Sequence, residues 1–128
     1  MEYGIQKKLD LKFEEALDQV LEALKSEGFG VLTRIDIHEK LKEKLGVDFK
    51  KYVILGACHP PSAYKALLAE ENIGLMLPCN VIVYEKDGAS VVAAIRPSSA
   101  MGMIDNDELK LIADEVERKL INVINSLK

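Results

Sequence analysis

Cys58, His59 and Cys79 form the one group in this 128-residue chain with evident soft-ligand or redox chemistry. Each thiol stands at the edge of a predicted strand. Gly56-Ala57-Cys58-His59-Pro60-Pro61 closes one strand, and Leu77-Pro78-Cys79-Asn80 opens the next. Thiolate and imidazole both suit zinc and copper, so a soft metal ion is the cofactor these residues would take. Two neighbouring thiols could instead cycle through a disulfide or pass on sulfur, provided one is accessible and has a lowered pKa. The structural alternative is simpler, because free cysteine is among the residues most often fully buried. The spacing also matches no zinc-finger pattern. Side chains alternate along a strand, so only a turn at Pro60 can aim both Cys58 and His59 at one ion. Met101 and Met103 could supply thioethers to Cu(I), although a Met-Gly-Met loop more often packs as a lid.

Whether the thiols meet depends on the elements that carry them. Tyr52 to Ala57 is a nearly all-apolar run suited to a central strand, and Pro60-Pro61 breaks it and opens a helix over about residues 62–71. Val81 to Tyr84 forms the next strand. Parallel strands would leave the cysteines at opposite ends, roughly 20 Å apart at about 3.3 Å per residue. Antiparallel strands place both at one edge. Asn72 to Pro78 is long enough to carry the chain back, so the antiparallel arrangement is expected.

The remaining periodicities complete the layout. Tyr3 to Leu9 reads as a strand; Phe13, Leu17, Val20, Leu21 and Leu24 then recur at helical spacing up to a stop at Gly28. Gly30 to Asp36 alternates as a half-buried strand. Ile37, Leu41 and Leu45 lie on one face of a helix ended by Gly46, with Asp36 and Glu39 at capping-box spacing. Asp87-Gly88 signals a tight hairpin into a strand from Val91 to Ile95. Asp105 and Glu108 again have capping-box spacing, ahead of the long stripe Leu109, Ile112, Val116, Leu120, Val123, Ile124 and Leu127. The sum is an α+β fold: a sheet of about five strands, mainly antiparallel, with two long helices on one face. No linker, repeat or low-complexity segment divides residues 1–128, so a single domain is expected.

Tyr-Gly-Ile at 3–5, Gly-Phe-Gly-Val-Leu at 28–32, Ile-Asp-Ile at 35–37, Leu-Lys-Glu-Lys-Leu-Gly-Val at 41–47, Ile-Leu-Gly-Ala-Cys at 54–58 and Ile-Gly-Leu-Met-Leu-Pro-Cys at 73–79 together resemble the domain-of-unknown-function 302 family. The resemblance spans essentially the whole chain. It implies a small α+β protein with a layout like that of TATA-binding protein, found mostly in bacteria and archaea as a homodimer, and it implies no established activity. Lys12 departs from the small polar residue expected to cap the first helix.

Composition narrows the partners. The net charge is -4 with a pI near 5.2, and Lys is interleaved with Glu and Asp. Binding to nucleic acid or anionic lipid by clustered cations is therefore not expected, TATA-binding likeness notwithstanding. No apolar run approaches a membrane span and no leader pattern is present, so a cytoplasmic protein is expected. Arg34 and Arg96 fall on predicted strands; on one open sheet face they could hold a carboxylate or phosphate, although a surface ion pair with Asp36 or Glu85 is the plainer fate. Tyr52, Tyr64 and Tyr84 could line such a cavity. His38 is expected to be exposed. Val91, Ala93 and Ile95, or the alternates Val92 and Ala94, could cover the uncovered sheet face through a second copy, giving a homodimer. The function expected is that of a homodimeric binding protein with a soft-metal or small-molecule site at Cys58 and Cys79. The alternative is a thiol-dependent redox or sulfur-transfer enzyme.

Overall fold

The computed structural model describes residues 1–128. Five strands form one sheet: β1 (Gly4–Leu9), β2 (Gly30–Asp36), β3 (Tyr52–Cys58), β4 (Cys79–Lys86) and β5 (Ala89–Ile95). Their order is β1-β5-β4-β3-β2 and every neighbouring pair is antiparallel. The helices are α1 (Phe13–Ser26), α2 (Ile37–Leu45), α3 (Pro60–Ala69), the four-residue α4 (Pro97–Ala100) and α5 (Asp107–Ser126), and a 3₁₀ segment spans Glu71–Met76. None is long and apolar enough to cross a membrane.

The strand pleat sorts the core. Val53, Leu55 and Ala57 of β3, Val81 and Val83 of β4, and Val92 and Ala94 of β5 point to one side. There they pack against the apolar stripes of α1 and α5, where Leu24, Leu109, Leu120 and Ile124 are almost wholly buried. Two turn signals hold as expected. Asp87 and Gly88 both adopt positive φ, 50° and 77°, as a tight hairpin requires. Gly46 ends α2 in the left-handed region.

The capping expectations need correction. Asp36 makes no side-chain cap, because its carboxylate takes Arg34 at 3.1 Å instead. At α5 the cap is Asn106 rather than Asp105: its Oδ1 accepts the Leu109 N–H at 3.0 Å, and its amide donates to the Ala69 carbonyl at 2.9 Å. The Asn106 side chain thus also ties the start of α5 to the end of α3. Lys12 precedes α1 without a side-chain cap. Helix α3 starts at Pro60, ahead of the expected start at residue 62. Pro60 and Pro61 fit its first turn, where no backbone N–H is needed.

Expected faces are corrected in four places. Strand β2, expected to be half-buried, is exposed at every residue but Asp36, because it is an edge strand that no helix of its own chain covers. Helix α2 buries none of its residues, so Ile37, Leu41 and Leu45 do not join the core. His38 is not free on the surface: its Nδ1 accepts the Tyr52 N–H at 3.0 Å and braces the start of β3. Val91 and Ala93 face the uncovered side but are only 6% and 8% exposed. β5 is interior to the sheet, and these short side chains lie below their taller register partners Lys8, Tyr84, Gln6 and Ile82.

Candidate functional site

Cys58 and Cys79 lie at the same end of the sheet. Ala57 is the register partner of Cys79, because β3 and β4 run antiparallel from Tyr52↔Tyr84 to that end. Proline then closes both strands: Pro60-Pro61 turns β3 into α3, and Pro78, after a cis Leu77–Pro78 bond, leads into β4. Between this strand end and helices α3, α4 and α5 lies a chamber of about 200 Å³ bordered by Cys58, His59 and Cys79.

Twelve of its sixteen lining residues are apolar and none carries a formal charge at neutral pH. Ser62, one helical turn beyond His59, places its hydroxyl 2.8 Å from His59 Nδ1. The ring of Phe29 meets His59 edge-on with centroids 5.7 Å apart. Gly28, at φ 83°, brings the α1–β2 turn so close that a Cβ there would sit 3.3 Å from the imidazole. Leu32 stands at the mouth. The β2 register shifts between Val31 and Thr33, which leaves Leu32 as the extra, unpaired residue of a bulge.

Electrostatics make this chamber neutral. Burial is the main reason the Cys79 thiol is pushed up to about 11, with the neighbouring Cys58 adding to it. Burial also lowers the His59 pKa, and Lys119 lowers it further. At pH 7 the imidazole is uncharged and Cys79 keeps its proton, a poor setting for a thiolate nucleophile.

The chamber takes in the sequence candidates Cys58, His59, Cys79 and Met101 and leaves out the arginines, Met103 and the tyrosines, Tyr64 being exposed on α3. Met101 is buried and lines it, whereas Met103 is 80% exposed and outside it. Cys58, His59 and Cys79 share the wall, yet no group of three or more His, Cys, Asp and Glu side chains is placed to hold a metal ion. The register explains this: Ala57, not Cys58, stands opposite Cys79, so strand alternation separates the two thiols. Arg34 and Arg96 do not share an open face. They lie on the helix side of the sheet, on or just beyond strands β2 and β5. Three strand spacings, about 14 Å, separate those strands, and each arginine has its own carboxylate. Arg34 pairs with Asp36 at 3.1 Å. Arg96 pairs with Glu117 at 3.3 Å, while Glu117 also accepts the Ser98 N–H and hydroxyl and so ties α4 to α5. Ser62 and the α5 wall of Ile112, Ala113 and Val116 went unrecognised in the sequence. Ser62 had a signal, its position three residues after His59 in a helix start; the α5 residues read only as core.

The sequence pattern described as "Domain of unknown function DUF302" matches residues 5–127. The chain belongs to the DUF302 family. A crystal structure of an uncharacterized conserved DUF302 protein from Bacillus stearothermophilus superposes with a TM-score of 0.92 at 32% sequence identity, each chain covered over 100% of its length. A search of curated proteins finds no match. The DUF302 fold is thus the scaffold of the chamber, and the α+β layout expected from periodicity is the family's own.

Proposed function

We propose that this DUF302 protein is a homodimeric binding domain whose ligand is a small, uncharged molecule of about one ring, held in the chamber at the Cys58 and Cys79 strand ends. The carrying observation is the lining: mostly apolar walls, no charged side chain, and four groups along them, Cys58, His59, Ser62 and Cys79, each able to make a hydrogen bond to a polar atom. Apolar cavities of roughly 150 Å³ take up benzene. A neutral chamber of about 200 Å³ therefore suits a molecule of that size. A formal charge would be desolvated there without a counterion. Thiol exchange is the weaker alternative because Cys79 holds its proton at neutral pH.

Dimer formation is supported by what the single chain leaves uncovered. All of β2 except Asp36 is exposed, including Val31, Leu32 and Ile35, and the apolar stripe of α2 continues beside it through Leu45, Val47 and Phe49. An open apolar edge strand invites pairing with another strand. Antiparallel pairing of two β2 strands about Thr33, the middle of the strand, would set Val31 of one copy beside Ile35 of the other. Leu32 would then close the chamber mouth at that interface.

Phenol titrated into the ¹⁵N-labelled protein tests the chamber. Saturable amide shifts at Ala57, Cys79 and Ala113 are expected, and they should vanish in Ala63→Leu, which fills the chamber from a half-buried position on α3. No saturable shift in the wild type, or undiminished binding by Ala63→Leu, would remove the chamber as a ligand site.

A further inference from the structure

The uncovered side of the sheet holds a second cavity, of about 520 Å³. That size falls within the usual range of small-ligand sites. Its floor is aromatic. Tyr52 and Tyr84 are register partners on β3 and β4, with rings stacked 5.3 Å apart and 8° from parallel. Phe49 extends the floor, its ring centroid 6.3 Å from that of Tyr52.

Two cations border this floor. Lys50 Nζ stands 4.7 Å from the centroid of the Tyr84 ring, an attraction that holds the side chain over the cavity. Lys86 follows Tyr84 by two residues, so the strand period places it on the same face. Neither lysine takes part in an ion pair. The fourteen lining residues include no Asp or Glu, although the chain contains 21 of them. Asn80 and Gln6 supply neutral hydrogen-bonding groups at the edge. Tyr52 keeps its phenolic proton as a donor, because burial and the nearby Tyr84 and Tyr3 raise its pKa.

We propose that this face is a second binding site, separate from the thiol chamber, for a planar aromatic carboxylate whose ring packs against the exposed side of the Tyr52–Tyr84 stack and whose carboxylate is neutralised by Lys50 and Lys86. The stacked floor selects a flat ring over an aliphatic chain. The lysines, with no competing carboxylate in the lining, select the anion over its amide. A long polyanion is disfavoured by the net charge of -4 on the molecule as a whole.

The test is an amide-shift titration with 1-naphthoate and its neutral isostere 1-naphthamide, at low salt, in wild type and in Lys50→Gln/Lys86→Gln. Both lysines are exposed, so the double variant keeps its fold, which its melt and spectrum verify. Gln6, Asn80 and Ile82 line this cavity and not the thiol chamber, so shifts there report this site. The expected result is saturable binding of naphthoate, about fivefold tighter than naphthamide, as two exposed charge pairs would give. The preference should fall to parity in the double variant, and Tyr84→Ala should weaken both probes. Equal binding of the two probes to wild type, an unchanged preference in the double variant, or shifts confined to other residues would overturn the proposal. So would a change of oligomeric state on the lysine substitutions, which would make this face a contact between copies.

Discussion

Gly56→Ala should be among the most damaging single-methyl changes available in this protein. Gly56 lies in β3 between the edge strand β2 and Pro78. A Cβ added there falls deep inside the van der Waals radius of Thr33 Oγ1 and 2.6 Å from Pro78 Cγ. Thr33 can rotate or shift, because it sits on an exposed edge strand next to a bulge. The Pro78 ring cannot rotate, and it precedes Cys79, so relief must come from moving the strand end that walls the thiol chamber. Overpacking of this kind costs roughly 1–3 kcal/mol, and contacts on two sides place it near about 3 kcal/mol. At about 2.1 cal/mol/K per residue the chain has an unfolding entropy of about 0.27 kcal/mol/K, so the melting temperature should drop by about 11 °C. Calorimetry of wild type, Gly56→Ala and Gly74→Ala measures this directly. A Cβ at Gly74 would meet nothing within 4 Å, and Gly74 has no positive φ. Its alanine variant should therefore melt within about 2 °C of wild type. Phenol binding should weaken in Gly56→Ala and persist in Gly74→Ala. Equal melts for the two variants would refute the packing assigned to Pro78 and Thr33.

Thiol chemistry should be split between the cysteines. With the Cys79 pKa at about 11, only about one Cys79 side chain in a thousand is thiolate at pH 8. A disulfide reagent should therefore modify half-buried Cys58 first and reach Cys79 only on unfolding. The same shift makes stability pH-dependent, because the folded state retains a proton that the unfolded chain releases above about pH 9. This contribution is complete below about pH 9 and is lost as pH rises toward about 11, roughly 2–3 kcal/mol in all. Urea melts of Cys79→Ala should show a correspondingly shallower alkaline decline; parallel profiles would show that burial does not hold the proton. Sedimentation velocity should find a dimer that Ile35→Lys or Leu45→Lys, both at exposed positions, converts to monomer. Each substitution should change the unfolding free energy of the monomeric form by no more than about 0.5 kcal/mol. A wild type that sediments as monomer at every concentration would exclude the β2–α2 interface.

Local residues determined most of the element list. The period-2 run of Gly30 to Asp36, the stripe from Leu109 to Leu127 and the Asp87-Gly88 turn each encode their structure within a few neighbouring positions, and so were legible without a partner. The meeting of Cys58 and Cys79 was half legible: proline at both strand ends and the length of the return segment pointed to antiparallel pairing, but nothing local set the register. Tertiary structure alone decided that Ala57 faces Cys79, which lines the thiols along one chamber instead of converging them on an ion. The Arg34–Asp36 pair, two residues apart on one strand, was legible in the sequence, whereas only the tertiary structure matched Arg96 with Glu117, 21 positions away, because that pairing depends on which chain segments pass within a few ångströms. Helix α2 marks the same boundary from the other side. Its apolar stripe specifies a buried face, yet the fold places that helix beside an edge strand where its own chain has nothing left to cover it.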